Sequence, residues 1–323
     1  MKDNWIIGAG LMGVEYAKVL VALQQPFLTI GRGIKNANEF EKATGNKAII
    51  GGLEAFLKTN PEIPNAVIVA VGIEALAETT VQLLNFGIKN ILLEKPGVGN
   101  PSEINALVEL VEKKGATVLL AYNRRFYSSV LKAEEIIKQD GGVHSFSFEF
   151  TEWSHTIAPL PKTKVEHNFW FLGNSTHVID TAFLLGGQPK VLYALHKGGL
   201  EWHPASSVFA GAGESETGAL FSYHADWEAP GRWVIEILTK KNRLLFKPME
   251  SLQIQQLGSV AVNPVAVDDQ LDKAFKQGLY LQTKSFLENN FSRFCTLREQ
   301  KEMIEKYYLP MSGYKTIQEK QNG

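Results

Sequence analysis

Short apolar runs alternate with amphipathic stretches along the first 120 residues of the chain. The apolar runs predict six strands, at residues 5–7, 27–30, 48–50, 66–70, 90–93 and 117–120. The stretches between them predict helices at residues 12–23, 36–43, 53–57, 73–86 and 101–114. Strands that alternate with helices are typical of βαβ units, so we expect a doubly wound α/β domain with a parallel sheet.

The pattern of apolar and polar residues changes after residue 125. The sequence predicts a helix at 128–139, a strand in the alternating run 144–153, a loop over 154–167 and a helix at 175–185. Further strand-like runs lie at residues 190–196, 207–212, 217–227, 232–239, 243–247 and 252–257, and helical patterns at 268–289 and 296–308. This predicts an α+β domain with an open-faced, mainly antiparallel sheet. We expect two domains, residues 1–122 and residues 123–323, the second for substrate binding and oligomerisation.

The run 217–227 has two distinct sides. One side carries Leu220, Ser222, His224 and Asp226, and the other carries Ala219, Phe221, Tyr223, Ala225 and Trp227. Helices can cover only one face of a single sheet, so a partner subunit would shield an aromatic-rich patch. We therefore expect a homodimer or homotetramer that assembles through the C-terminal sheet.

Composition narrows the function classes. The 33 basic and 34 acidic residues give a net charge of −1, so no basic field favours nucleic acid. No stretch approaches the ~20 apolar residues that span a bilayer, and the N-terminus lacks a signal-peptide pattern. The single cysteine, Cys295, cannot form an intramolecular disulfide. We expect a cytoplasmic protein that binds neither nucleic acid nor membrane.

A glycine motif follows the first predicted strand and opens the first predicted helix. It reads Gly8-Ala9-Gly10-Leu11-Met12-Gly13. In a dinucleotide-binding domain the first glycine permits a tight turn, the second lets the pyrophosphate approach, and the third packs the helix on the sheet. The spacing alone is weak in a glycine-rich chain, and a plain glycine turn is the alternative, but the strand–turn–helix setting favours a Rossmann cofactor site.

The end of the second strand bears on cofactor choice. NAD enzymes place an acid here for the ribose 2′-hydroxyl, whereas this chain has Gly31 followed by Arg32. A guanidinium can bind a 2′-phosphate at two points, so we expect NADP(H) to be preferred over NAD(H). Arg32 stacked on the adenine or extended into solvent is the alternative.

Glu94-Lys95-Pro96 follows the fifth strand, where ligands of open α/β sheets bind. Taken alone, a lysine before a proline is equally an ordinary surface turn. We expect Glu94 and Lys95 to contact the cofactor, together with Val71 after the fourth strand and Asn123 after the sixth.

Three segments together resemble the Gfo/Idh/MocA oxidoreductases: the glycine motif, Glu94-Lys95-Pro96 and Asn123-Arg124-Arg125-Phe126. A fourth, Asn174-Ser175-Thr176-His177-Val178-Ile179-Asp180, looks like that family's second-domain motif, and the resemblance spans the chain in the right order. It implies a Rossmann domain joined to an open-faced sheet. It also implies oxidation or reduction of sugars, cyclitols and related compounds with a bound nicotinamide, as in carbohydrate metabolism.

The resemblance assigns roles to individual residues. Lys95 matches the lysine that lies beside the nicotinamide and hydrogen-bonds the reacting oxygen, and His177 matches a candidate general acid/base. A helix histidine at a domain interface is the alternative for His177. Asp180 shares the helix face of His177 as a partner or a cap. The expected substrate-binding residues are Lys95, Arg124, Trp153, Asn174 and His177.

One departure from the family pattern affects catalysis. The commoner pattern has an Asp four residues before the histidine, and this chain has Gly173 there. Asn174 cannot take up a proton at neutral pH, which leaves acid/base work to Lys95 and His177. Two alternatives therefore stay open, an NAD-dependent glycosidase of the same superfamily and a non-catalytic, cofactor-binding regulatory protein.

Aromatic and cationic residues concentrate just before the second-domain motif. They are Trp153, His155, Lys162, Lys164, His167 and Trp170. Rings that stack on a sugar and lysines that pair with an anion suit a sugar with a phosphate or carboxylate. Trp170 and Phe171 are equally candidates for the core. His155 and His167 match no common metal-ligand spacing, so we expect no metal.

Overall fold

A computed structural model describes residues 3–314. The chain divides into two compact units. The first runs to Asn123 and also includes Leu271–Lys301, and the second consists of Arg124–Gln270 and the described residues from Glu302 onward. The continuous second domain predicted from residue 123 therefore differs from this division over one segment, which groups with the first unit.

The first unit begins with alternating strands and helices. Its strands are β1 (Asn4–Ile7), β2 (Phe27–Ile30), β3 (Ala48–Ile49), β4 (Val67–Val69), β5 (Asn90–Leu93) and β6 (Thr117–Leu120). Its helices here are α1 (Leu11–Ala22), α2 (Ile34–Thr44), α3 (Gly52–Leu57), α4 (Leu76–Phe86) and α5 (Ile104–Lys114), with 3₁₀ turns at Ile73–Ala75 and Pro101–Glu103.

The six strands form a parallel sheet in the order β3-β2-β1-β4-β5-β6, the Rossmann order. The strands β1 and β4 are buried along their whole length, which is why they read as continuous apolar runs. The order reverses between β1 and β4, so their carboxyl ends open a crevice there. The predicted Rossmann fold is confirmed.

The middle of the chain forms the second unit. Its helices are α6 (Ser128–Asp140), α7 (Ser154–Ile157), α8 (Lys164–Asn168) and α9 (Thr176–Gly186), with a 3₁₀ turn at Asn123–Phe126 before α6 and a π-helical turn at Phe171–Ser175 before α9. Its strands are β7 (Ser145–Glu149), β8 (Pro189–Lys197), β9 (Val208–Ser215), β10 (Leu220–Asp226), β11 (Val234–Leu238), β12 (Asn242–Phe246), β13 (Gln253–Gln256) and β14 (Val262–Pro264).

The loop predicted over residues 154–167 is wrong in part, because α7 and the start of α8 lie there. The helix α8 begins with a capping box. The Thr163 hydroxyl accepts from the Glu166 amide at 3.2 Å, and the Glu166 carboxylate accepts from the Thr163 amide at 3.1 Å.

Eight strands form one sheet in the order β8-β9-β10-β7-β11-β12-β13-β14. All neighbours are antiparallel except β7 and β10, so the predicted mainly antiparallel sheet is confirmed. The helix α9 packs on one face, where Phe183 contacts the rings of Phe146, Phe148 and Phe221.

The opposite face of this sheet is open, and its composition corrects one expectation. The aromatic side of β10, with Phe221 and Tyr223, is the buried side. The exposed side instead carries Val191, Tyr193 and Leu195 of β8 and Leu220 of β10, together with polar residues of β10. These polar residues are Ser222 and His224. A surface that a partner could shield therefore mixes aliphatic, aromatic and polar residues.

The last described part of the chain contains short helices, α10 (Gln270–Ala274), α11 (Leu279–Leu287), α12 (Leu297–Met303) and α13 (Leu309–Ser312). The single helix predicted at 268–289 is wrong, because Gly278 has a φ of +71° and interrupts it. The short strand Cys295–Thr296 pairs antiparallel with β6, and α11 packs on α1. These contacts explain why the segment joins the first unit.

Candidate active site

The glycine motif forms the turn between β1 and α1. Gly8 has a φ of +119°, and a side chain there would meet the carbonyl of Ala70. A side chain on Gly13 would meet the carbonyl of Gly8. Gly10 differs, since a Cβ there would have no described atom within 4 Å. The motif thus combines two steric requirements of the fold with one open position at a helix N-terminus, which suits the pyrophosphate of a dinucleotide.

A cleft of about 370 Å³ opens beside this turn. It is lined by several of the residues predicted to bind a cofactor, namely Gly8, Gly10, Gly31, Arg32 and Val71. The cleft does not extend to the other predicted cofactor residues, Leu11, Met12, Gly13, Glu94, Lys95 and Asn123. Its size falls in the range of small-molecule sites.

Arg32 is exposed at the mouth of the cleft and forms no ion pair among residues 3–314. Two carboxylates that the sequence reading missed also line the cleft, Glu54 and Glu78. The Glu54 carboxylate lies 2.7 Å from the Lys58 ammonium, which lowers its pKa through the hydrogen bond and the charge. The cleft therefore offers one unpaired cation, one carboxylate already paired with a lysine, and a second carboxylate, Glu78, that accepts a 3.2 Å hydrogen bond from the Gln82 amide.

Hydrogen bonds fix the turn that carries Lys95 at the residues before and after it. The Glu94 carboxylate accepts a 2.7 Å hydrogen bond from the buried Tyr16 hydroxyl. Burial raises the pKa of Glu94, and the bond from Tyr16 opposes that rise. The Pro96 carbonyl accepts from the Gln300 amide at 3.0 Å, and the Gln300 oxygen accepts from the Tyr122 hydroxyl at 3.0 Å. Buried side chains thus fix both residues that flank the half-buried Lys95.

The side chain of Asn123 forms a hydrogen bond within the first unit. Its amide nitrogen donates to the Gln277 carbonyl at 2.9 Å. The side-chain amide of Gln282 satisfies its neighbours when its oxygen faces the backbone of Tyr122 and Asn123. That oxygen then accepts from their two backbone N–H groups, at 3.3 and 3.1 Å. In this structure Asn123 therefore ties the segment around α11 to the end of β6.

In the second unit, His177 lies in the first turn of α9, directly after the π-helical turn Phe171–Ser175. Its side chain is buried, and its ring centroid lies 6.4 Å from that of Trp233. Single π-helical turns are frequent at functional sites. Phe171 itself is core, with its side chain fully buried.

The structure adds a carboxylate that the sequence reading missed. Glu152 is 1% exposed, and its Oε1 accepts from the amide of Asn174 and the hydroxyl of Ser175, each at 2.9 Å. Burial raises the pKa of Glu152 to about 7, against the lowering effect of these bonds and of Arg232. An ionisable carboxyl therefore lies beside the two residues that follow Gly173, where the family's usual acid is missing.

Arg124 and Trp153, both predicted to bind substrate, lie in clusters with Arg232 and Trp233. The Arg232 guanidinium carbon lies 4.7 Å from the ring centroids of both Trp153 and Trp233. The Arg124 guanidinium carbon lies 4.8 Å from the Trp233 centroid. Trp153 is fixed by a 2.8 Å hydrogen bond from its indole nitrogen to the Gly231 carbonyl. Cations and aromatic rings thus form one continuous stack.

The remaining aromatic and cationic candidates are partly engaged elsewhere. Lys162 pairs with Glu166 at 2.9 Å, and His167 contacts the rings of Trp170 and Trp202. Among residues 3–314, no group of three or more His, Cys, Asp or Glu could hold a metal ion. Over the same residues, no helix combines the length and apolar character needed to cross a membrane.

Comparisons with known proteins find a family model that matches most of the first unit. Residues 4–122 match the model of an oxidoreductase family with an NAD-binding Rossmann fold, GFO_IDH_MocA, so the resemblance is confirmed. Oxidoreductase P35 of Formosa agariphila is 32% identical over 106 residues, a match that spans about a third of each chain, 32% in both cases.

Solved structures share the fold of both units. An oxidoreductase from Agrobacterium radiobacter, solved with NAD+, L-tartaric acid and magnesium, has a TM-score of 0.74 at 12% identity, covering 93% of this chain and 92% of its own. UDP-N-acetylglucosamine 3-dehydrogenase GnnA from Acidithiobacillus ferrooxidans has a TM-score of 0.72 at 15% identity, covering 97% of each chain. Levoglucosan dehydrogenase in complex with NADH and L-sorbose has a TM-score of 0.73 at 16% identity, covering 93% of each.

Proposed function

We propose that this chain, whose residues 4–122 match the model of the Gfo/Idh/MocA oxidoreductase family, transfers a hydride between a nicotinamide cofactor and a hydroxyl or carbonyl carbon of a sugar or nucleotide sugar. The observation that carries the proposal is the glycine turn at the β1–β4 crevice, with its two steric requirements and its open Gly10. The fixed Glu94-Lys95-Pro96 turn after β5 supports it further.

Lys95 and His177 carry out the proposed chemistry. When bound, the nicotinamide supplies the hydride acceptor or donor. Lys95 hydrogen-bonds the reacting oxygen and stabilises the negative charge that develops on it. His177 takes the hydroxyl proton when the substrate is oxidised and returns it when a carbonyl is reduced. Glu94 and Asn123 orient the backbone beside the cofactor, and Leu11, Met12 and Gly13 position the helix N-terminus.

For the cofactor, we propose that NADP(H) is preferred over NAD(H). Gly31 leaves no carboxylate at the end of β2, and the exposed Arg32 is unpaired among the described residues. A 2′-phosphate would pair with its guanidinium at two points. Arg32→Ala should therefore weaken NADPH binding and leave NADH binding nearly unchanged. Equal loss for both nucleotides would point to adenine stacking instead.

A non-catalytic cofactor binder is the second candidate, because Gly173 removes the usual acid of the family pattern. Hydride transfer distinguishes the two. The oxidised cofactors should be tested with UDP-N-acetylglucosamine, levoglucosan, glucose and myo-inositol, with reduced-nicotinamide absorbance and product mass both recorded.

An enzyme forms reduced cofactor and keto-sugar in equal amounts. A binder forms neither, although the nucleotide still binds. Product that forms while the cofactor stays bound and unconsumed would indicate a glycosidase.

A further inference from the structure

Two arginines of the second unit share one aromatic side chain. The guanidinium carbons of Arg124 and Arg232 lie 4.8 and 4.7 Å from the ring centroid of Trp233, and Trp153 stacks on Arg232 as well. A guanidinium that lies over a ring directs its N–H groups sideways, away from the stacking faces. The stacks therefore fix both planar groups while leaving their hydrogen-bonding edges available.

Neither guanidinium donates a hydrogen bond to any of residues 3–314. The Nε of Arg124 is buried without a partner, and burial lowers the pKa of Arg124. An arginine has five N–H donors and stays charged. Besides the buried Nε of Arg124, the half-exposed guanidinium of Arg232 is open to a ligand or water. Buried donors without partners are rare and indicate a missing ligand or water.

The neighbouring carboxylates do not accept hydrogen bonds from these guanidinium groups. Oε2 of Glu152 lies 3.6 Å from Nη1 of Arg232, too far for a hydrogen bond, and Oε1 is used by Asn174 and Ser175. Glu250 attracts Arg124 from an exposed position, and Arg232 repels it. An oxyanion that contacts both guanidinium groups would supply hydrogen bonds that Glu152 and Glu250 do not.

We propose that Arg124 and Arg232 form an oxyanion subsite that binds a carboxylate or phosphate of the substrate, which makes that substrate an acidic sugar. The site is accessible, because 47% of the Arg232 side chain and 46% of Trp153 are exposed. Two guanidinium forks match the planar or tetrahedral oxygens of these groups. The proposal rests on the proposed function only in assigning the anionic group to the substrate.

The test compares matched sugars. Glucuronate, glucose 6-phosphate and glucose are titrated by calorimetry into the wild-type protein saturated with NADPH, and into Arg124→Gln and Arg232→Gln. Arg243→Gln is the control, since Arg243 pairs with Glu236 on the sheet, and thermal melts verify folding of all variants. Glutamine keeps a planar polar group and removes the charge.

At least one acidic sugar should bind the wild-type protein about tenfold or more tightly than glucose, and each arginine variant should lose about 10- to 100-fold of that affinity. Binding should weaken with added salt. Arg243→Gln should match the wild-type protein. A stronger response to glucuronate identifies a carboxylate site, and a stronger response to glucose 6-phosphate a phosphate site.

Equal binding of all three sugars, no saturable binding of either acidic sugar, or folded arginine variants with wild-type affinity would overturn the subsite. Loss of NADPH affinity in the variants would overturn it as well, because the anion would then belong to the cofactor. Hydride transfer is measured separately. Tight acidic-sugar binding without hydride transfer would retain the subsite and contradict the proposed enzyme. Hydride transfer to an acidic sugar that the folded arginine variants carry out as efficiently as the wild-type protein would contradict the subsite alone.

Discussion

Arg125 and Asp180 form a buried two-point ion pair. Nε of Arg125 lies 2.9 Å from Oδ2 of Asp180, and Nη2 lies 2.5 Å from Oδ1. The Asp180 side chain is fully buried, and that of Arg125 is 10% exposed. The pair joins the second arginine of Asn123-Arg124-Arg125-Phe126 to the aspartate of the His177 motif. Both motifs therefore contain a residue whose role in this structure is to hold the second unit together.

Asp180→Asn should destabilise the protein by about 3–5 kcal/mol, because it leaves a buried guanidinium without its counter-charge. The double variant Arg125→Met/Asp180→Leu should recover much of that loss, since it removes both buried charges. Denaturant unfolding measures both effects. The exposed pair Lys132 and Glu135 is the control, and Lys132→Met should leave stability unchanged. An Asp180→Asn protein as stable as the wild type would contradict this role.

Gly10→Ala and Gly13→Ala should affect different properties, cofactor affinity and stability respectively. A methyl group on Gly13 would collide with the Gly8 carbonyl, so this variant should lose about 1–3 kcal/mol of stability. A methyl group on Gly10 meets no described atom, so folding should change by less than about 1 kcal/mol. If the pyrophosphate approaches Gly10, NADPH affinity should nevertheless fall about tenfold or more. Thermal melts and nucleotide titration check both variants, and unchanged NADPH affinity in Gly10→Ala would place the pyrophosphate elsewhere.

Glu152 should make stability depend on pH. Its pKa is about 7 in the folded protein, against 4.5 for an ordinary glutamate. Between these values the folded state holds a proton that the unfolded state has released, so stability falls as pH rises from about 4.5 to about 7 and then levels off. The difference is about 3 kcal/mol.

Glu152→Gln keeps an oxygen for Asn174 and Ser175 and cannot ionise, so it should lack this component. The measurement is the unfolding free energy of both proteins at pH 5, 6, 7 and 8. A constant difference between them across this range would mean that Glu152 titrates normally.

Assembly is predicted to use the open face of the sheet in the second unit. Tyr193 and Leu195 are each 73% exposed, and Leu220 is 63% exposed. Leu195→Lys should shift a homodimer or homotetramer toward monomer, because a charge would be buried at the contact. Val21→Lys, at an exposed apolar residue of the first unit, is the control. Sedimentation at micromolar concentration measures this, and a monomeric wild-type protein would exclude the interface.

The sequence predicted the parts of the fold that local patterns encode. The strand–turn–helix at Gly8 was recognisable because steric needs fix glycines at set spacings. Glu152 was not recognisable, because it lies near the end of an alternating run and its hydrogen-bond partners, Asn174 and Ser175, are 22 and 23 residues away. The strand at Cys295–Thr296 escaped prediction for the same reason, since its partner β6 is distant in sequence.

Other errors had local signals. Thr163 and Glu166 have the spacing of a capping box, which predicts a helix where the sequence reading placed a loop. Gly278 interrupts a pattern that otherwise reads as one long helix, and a lone glycine does not say whether it is tolerated or ends the helix. The arginine–tryptophan stack joins Arg124 to Arg232, over a hundred residues apart, so only the folded chain reveals it.

Single-turnover hydride transfer by Lys95→Met tests the proposed enzyme most directly. Methionine keeps most of the apolar stem and deletes the charge, and the reaction is followed by nicotinamide absorbance on a substrate from the sugar panel. If Lys95 stabilises charge on the reacting oxygen, the rate should fall about 10²–10⁴-fold, with NADPH affinity and thermal stability unchanged. A folded Lys95→Met protein that retains more than about a tenth of the wild-type rate would contradict the assignment.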